Sequence, residues 1–208
     1  MQLMTDRAKG TLIWINGPHG SGKTHTAANL TRRLPAAQLA DPEHVGFGLR
    51  RMYPRTARPD YRSLDAWITA TSSTMIDILD RTGGTVIAPQ TVTDTATLTR
   101  LLDPVRQAEH RVLHVTLMTG LGELQRRLRT RGDVIASYAQ RQSETAIRVL
   151  SAPAFASHLD TTNRTVQQVA DDIATLAGLE LTPDRTNILS RSIRSTCLRI
   201  SAIRAPWA

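Results

Sequence analysis

The sequence predicts an α/β protein in which a five-stranded parallel sheet carries helices on both faces. Two observations lead there. Short apolar runs alternate with segments of helical period along most of the chain, the pattern of a parallel sheet with crossover helices. The first of these runs also feeds directly into a glycine-rich turn and then a helix.

In order, Thr11 to Asn16 is a short apolar run with β-branched and aromatic residues and reads as a buried strand. Gly17-Pro18-His19-Gly20-Ser21-Gly22-Lys23-Thr24 follows, matching the pattern Gly, four residues, Gly-Lys-Ser/Thr. Lys23 to Leu34 places Ala27, Ala28, Leu30 and Leu34 at helical spacing, and Pro35 stops the helix. A second strand over residues 37–40 ends at Asp41-Pro42-Glu43, before the run Val45 to Met52 and an irregular arginine-rich stretch to Arg62. Ser63 reads as the N-cap of a helix through Asp80 that buries Leu64, Trp67, Ile68, Ile76 and Leu79 and ends at Gly83-Gly84. A third strand runs through Val86, Ile87 and Ala88, and Thr93 or Asp94 starts a helix towards Glu109 that bends near Pro104. Val112 to Met118 is a fourth strand, and Gly120 to Arg131 is helical. An Arg-, Gln- and Ser-rich segment at about 131–140 is a candidate lid, followed by a helix from about Ser137 to Leu150. Leu159 to Thr162 is a last short strand end. Val166 to Ala177 is an amphipathic helix with Val169, Ile173 and Leu176 inward and Gly178 as its stop.

Length and composition fit one domain, residues 11–181, between a polar N-terminal segment, 1–10, and a basic tail, 182–208. The 208 residues are 40% hydrophobic, with no apolar run long enough to cross a bilayer and no apolar signal core near Met1. The single cysteine, Cys197, forms no internal disulfide and suits a reducing cytoplasm. The net charge of +8 comes from arginine, since Lys9 and Lys23 are the only lysines, and one of the two falls where the glycine loop needs it. Aromatic content of 4% argues against single-strand nucleic-acid binding by stacking, and no nucleic-acid partner is expected.

Strand, glycine loop and helix together make a phosphate site. Glycines let the loop turn its N–H groups inward, and the helix start adds its positive dipole end. Gly17, Pro18, His19, Gly20, Ser21, Gly22, Lys23 and Thr24 are therefore assigned to nucleotide binding, with Lys23 on the β- and γ-phosphates and Thr24 on Mg²⁺. The cofactors implied are ATP and Mg²⁺. The ligand belongs at the carboxyl ends of the strands.

Five segments extend the pattern: Ile13 to Thr24, Asp41 to Arg50, His114 to Met118, Leu124 to Arg131 and Ser151 to Phe155. In this order they resemble the bacterial tunicamycin-resistance ATP-binding proteins, over about residues 11–182. The resemblance implies a P-loop kinase fold of the small-molecule kinase type, with a nucleoside antibiotic, tunicamycin, as ligand. The function expected is an ATP-dependent phosphotransferase acting on a hydroxyl of that antibiotic. The alternative is an ATP-binding protein that sequesters it without transfer.

Within that frame Asp41 is the candidate catalytic carboxylate, because Pro42 holds it extended past the second strand, and near Lys23 and Mg²⁺ it should stay ionised. Glu43 is the fallback acid. Arg131 is assigned to catalysis and, with Arg127 one turn before it, to the triphosphate. Arg50 and Arg51 are candidate substrate clamps, Phe47 a pocket wall, and Gln90 a substrate contact where many ATPases carry a magnesium-binding Asp. In the tail, five arginines oppose Asp184, and Leu189, Ile193, Cys197, Ile200 and Ile203 share a helical face. That helix either packs back on the domain or makes a peripheral contact with an anionic membrane. A monomer and a homodimer both remain open.

Overall fold

The structure, a computed structural model, describes residues 9–129, 144–155 and 157–184. The expected sheet is present. Strands β1 (Thr11–Asn16), β2 (Ala37–Leu39), β3 (Thr85–Pro89), β4 (Arg111–Met118) and β5 (His158–Asp160) form one sheet in the order β2-β3-β1-β4-β5. Every pair is parallel. Helices α1 (Lys23–Arg33), α2 (Pro42–Met52), α3 (Asp65–Thr82), α4 (Thr95–Gln107), α5 (Leu121–Arg129), α6 (residues 144–150) and α7 (Val166–Ala177) fill the connections. Among the described residues, no helix is long and apolar enough to cross a membrane.

β1 shows why the sheet is covered twice. Its run is buried on both faces, and alternate residues serve different cores. Leu12 and Trp14 pack with Trp67, Met75, Leu79, Leu101 and Val105, under α3 and α4. Ile13 and Ile15 pack with Ala27, Leu30, Val169 and Ile173, under α1 and α7. The chain leaves β1 for the edge, returns with β3, then crosses to the other side with β4. The carboxyl ends of all the strands thus share one rim, with the β1 loop in its middle.

Three features differ from the sequence expectation. Ser63 does not cap α3, which starts at Asp65. Residues Tyr61–Ser63 form a 3₁₀ turn instead, and the Ser63 hydroxyl donates to the Asp60 carbonyl at 2.8 Å. Leu176 is 44% exposed, because Ala170, Ala174 and Ala177 complete the inner face of α7 beside Val169 and Ile173. Residues 42–52 are a full helix, α2, which two internal glycines hide from propensity reasoning. The expected helix before residue 144, the lid and the tail beyond Asp184 lie outside the described residues. The tail's first residues dock on the domain: Thr182 bonds the Arg33 carbonyl at 2.9 Å, and Asp184 meets Arg32 at 2.9 Å and Gln167 at 2.8 Å.

Gly46 is where α2 meets its neighbour. A Cβ there would stand 2.3–2.6 Å from three ring atoms of Tyr61, whereas nothing lies within 4 Å of a Cβ on Gly48. Tyr61 is itself wedged edge-on between Phe47 and Trp67, with ring centroids 5.7 and 5.5 Å away. Gly46→Ala should therefore destabilise the fold by about 1–3 kcal/mol through overpacking. Gly48→Ala should stabilise it by about 0.5–1 kcal/mol through helix propensity. Thermal melting of the two variants checks both signs.

Candidate active site

At the centre of the rim, the loop of residues 17–22 turns on three glycines with positive φ: Gly17 at 143°, Gly20 at 86° and Gly22 at 101°. Gly17 admits no side chain, since a Cβ would lie 2.6 Å from the Leu117 carbonyl oxygen and 2.7 Å from Ser21 Oγ. Gly22 is the N-cap of α1 and brings no capping side chain, and the first turn holds no acidic residue. The positive end of α1 is thus left for an anion. Lys23 Nζ donates to the Gly17 and Pro18 carbonyls at 2.8 and 3.0 Å, which holds the ammonium over the loop. Ser21 Oγ, within the loop, is buried with no hydrogen-bond partner. These features fit a nucleotide triphosphate.

The loop is braced from β3. Asn16 Oδ1 accepts from the Gly17 and Val92 N–H groups at 2.9 and 3.0 Å, and its Nδ2 donates to the Val92 carbonyl at 2.8 Å. Thr91 Oγ1 donates to the Gly17 carbonyl at 2.8 Å. The ends of β1 and β3 therefore move as one unit.

Beside the loop, Asp41 ends the β2 connection as the N-cap of α2, its Oδ1 accepting from the Glu43 N–H at 2.9 Å. Burial pushes the Asp41 carboxyl above its ordinary value, outweighing the Glu43 N–H and the charges of His44 and Lys23. Of the three influences that lower it, Lys23 is the smallest. Glu43 is raised too, by burial and then by Asp41, against Lys23, Arg62 and His44. Two carboxylates raised in this way, within reach of the charge of Lys23, make Asp41 and Glu43 candidates for a functional pair.

Two cavities flank the loop. One, of about 330 Å³, lies between Gly20–Gly22, Arg126 and Arg127 on α5, and Thr161 to Thr165 after β5. Arg127 is fixed in its wall. Nε donates to Glu123 at 2.7 Å and Nη2 to the Thr161 carbonyl at 2.8 Å. Glu123 is pulled down to about 2 by the hydrogen bonds from Arg126 and Arg127. The other cavity, of about 610 Å³, opens on the opposite side between His19, Asp60 and Arg62, the loop after β3, and α6. The rim thus offers a small cationic pocket on one side of the phosphate loop and a larger cleft on the other.

The AAA domain family matches residues 12–153. The solved structure of the Deinococcus radiodurans tunicamycin resistance protein is 34% identical over 84% of this chain and 99% of that one, with a TM-score of 0.71. The chain belongs to the tunicamycin-resistance family of P-loop kinase-like proteins. Thymidylate kinase from Candida albicans is 18% identical over 85% of this chain and 96% of that chain, with a TM-score of 0.55. APS kinase from Mycobacterium tuberculosis, in complex with AMPPNP and APS, is 18% identical over 82% and 98%, with a TM-score of 0.57. These two share the P-loop kinase fold. No curated protein matches the chain.

Within this family member, the sequence-predicted residues divide in two. Residues 17–24, Asp41, Glu43 and Arg127 gather at the rim as described, with His19 and Thr24 exposed. Neither Asp41 and Glu43 nor Phe47, Arg50, Arg51 and Gln90 line the larger cavity. Phe47 packs edge-on to Tyr61, and Arg51 is exposed on the last turn of α2. Arg50 is half-buried, with its Nε unpartnered. Gln90 is buried; its Oε1 accepts from the Thr91 N–H at 3.0 Å and its Nε2 donates to the Tyr61 hydroxyl at 3.3 Å. Arg131 lies outside the described residues.

Residues that sequence reasoning missed are Asn16, Asp60, Tyr61, Arg62, Thr91, Thr161 and Arg164. Only Asn16 had a usable signal, as a polar residue closing an apolar strand directly before the loop.

Proposed function

We propose that the protein is an ATP-dependent phosphotransferase that modifies a hydroxyl group of a nucleoside-type antibiotic, tunicamycin, the drug in the name of its Deinococcus radiodurans relative, a tunicamycin resistance protein. One observation carries the reading: a phosphate loop with Lys23 has two raised carboxylates, Asp41 and Glu43, within reach of the lysine's charge, and a cleft of about 610 Å³ opens at His19 of the same loop, with neither carboxylate in its lining. ATP takes the loop, with its nucleoside towards Arg127, and the acceptor takes the larger cleft. Thr24 would hold Mg²⁺ through its hydroxyl. Among the described residues no cluster of three His, Cys, Asp or Glu side chains forms a metal cage. The Mg²⁺ ion, when bound, would supply charge neutralisation on the phosphates.

In the transfer, the acceptor oxygen forms a bond to the γ-phosphorus while the bond from that phosphorus to the β,γ-bridging oxygen breaks. ADP leaves and the hydroxyl proton passes to Asp41. A loose transition state asks mainly for positioning and charge stabilisation, which the loop N–H groups and Lys23 provide. Asp41 orients the hydroxyl through its free oxygen, since Oδ1 is occupied by the Glu43 N–H. Coupled measurement of ADP tests the reading: tunicamycin should stimulate ADP release from Mg·ATP, at one ADP per drug molecule. Tight drug binding without stimulated release would favour sequestration instead.

A further inference from the structure

The larger cleft is charged in a way that does not suit a phosphate-bearing acceptor. Its charged lining residues, among those described, are Asp60, Asp94 and Arg62, beside the ring of His19. The single guanidinium is already taken. Arg62 Nε lies 3.0 and 3.2 Å from the two Asp60 carboxylate oxygens and Nη2 lies 2.7 Å from one of them, while the Arg62 backbone N–H donates to the same carboxylate at 3.1 Å. One 3₁₀ turn, Tyr61–Ser63, builds this pair from residues two apart, and the Arg62 guanidinium sits 5.9 Å above the Tyr61 ring. Asp94 adds a second carboxylate, anchored as the N-cap of α4 by the Thr97 N–H at 2.7 Å. The rest of the wall used here is the hydroxyls of Ser63, Thr93, Thr97 and Thr145 and the apolar surface of Ala146 and Val149.

We propose that Asp60 and Arg62 form a charge filter, so that the cleft accepts a neutral, polyhydroxylated glycoside and rejects an acceptor that carries phosphate. The proposal rests on the cleft being the acceptor side of the transfer described above. A phosphate group needs unengaged guanidinium N–H groups to replace its water, and here it would meet an Arg neutralised by one carboxylate with another close by. Sugar hydroxyls both donate and accept, so they can bond to the carboxylate oxygens, the remaining Arg62 N–H groups and the threonine hydroxyls together. Asp60 and Arg62 have side chains 52% and 40% exposed, so the pair faces an incoming ligand rather than the core. Arg50, the clamp expected from sequence, is not among the residues that line this cleft.

Calorimetry on protein saturated with AMPPNP and Mg²⁺, which keeps other phosphates off the loop, compares two ligands of related shape: tunicamycin, uncharged, and UDP-N-acetylglucosamine, carrying a diphosphate. Wild type should bind tunicamycin at least about tenfold tighter. Asp60→Asn keeps the turn's acceptor oxygen but frees Arg62, and should shrink that ratio by about fivefold or more; Arg62→Gln leaves the carboxylates unopposed and should widen it. Equal or tighter binding of UDP-N-acetylglucosamine to wild type, failure of both ligands to bind, or a shift of the ratio in the same direction in both variants would overturn the filter. Drug-dependent ADP release is read separately. Its absence with the preference intact would count against transfer and leave the filter standing.

Discussion

Lys23→Ala should lower drug-dependent phosphoryl transfer by about 100- to 1,000-fold, the range seen when one preorganised charge donor is removed from a transferring group. The ammonium sits on the Gly17 and Pro18 carbonyls at 2.8 and 3.0 Å, so it is already held where the phosphates of a nucleotide would pass. Its loss should be felt at the site and little elsewhere. The loop keeps its shape through glycine conformations and the Asn16 brace, and Thr91 still holds the Gly17 carbonyl that it shares with Lys23. The half-buried carbonyls it leaves can be solvated, so stability should fall by no more than about 1 kcal/mol. Steady-state kinetics and thermal melting of the same sample separate the two effects. A variant that melts as wild type yet transfers at an unchanged rate would remove Lys23 from the chemistry.

Asp41→Asn should reduce transfer by about 100-fold or more, within the range for loss of a positioned base. This substitution isolates charge from structure. Asp41 is also the N-cap of α2, and asparagine caps about as well as aspartate, so the Oδ1 contact to the Glu43 N–H survives. Asp41→Ala should add roughly 1 kcal/mol of lost capping to the same catalytic defect. The pH profile carries a second signature. Burial raises Asp41 and Glu43 above their ordinary carboxylate values, so each binds its proton at a higher pH than an exposed acid. Activity that needs the Asp41 anion should thus fall, as pH is lowered, before an exposed carboxylate would titrate at about 4. The residual activity of Asp41→Asn should lack that limb. An acid limb unchanged in the variant would move the base to Glu43.

How much of this was legible in the sequence depends on the range of the forces involved. β1, the phosphate loop, α1 and α7 were readable because their signals are local: a continuous apolar run, spaced glycines with Lys23-Thr24, and an apolar stripe through Val169 and Ile173 that stops at Gly178, with only Leu176 misplaced. Asp41 was readable because Pro42 follows it. Helix α2 was not, since Gly46 and Gly48 argue against helix until the Tyr61 ring explains the first of them. The Asp60–Arg62 pair sits in a stretch with no periodicity, where composition shows only arginines. Thr161 owes its part to β5 pairing with β4, which brings its Oγ1 to 3.4 Å from the Ser21 carbonyl, 140 residues earlier in the chain. Gln90 shows the converse: its position at the end of β3 was visible, but not that Tyr61 and Thr91 occupy its amide.

Mass spectrometry of tunicamycin after incubation with the protein and Mg·ATP tests the central claim most directly, with Lys23→Ala and Asp41→Asn alongside. Transfer predicts that the drug gains the mass of one phosphoryl group in the wild-type reaction, with that product strongly reduced in both variants. An unmodified drug recovered from protein that binds it tightly would contradict phosphoryl transfer to tunicamycin.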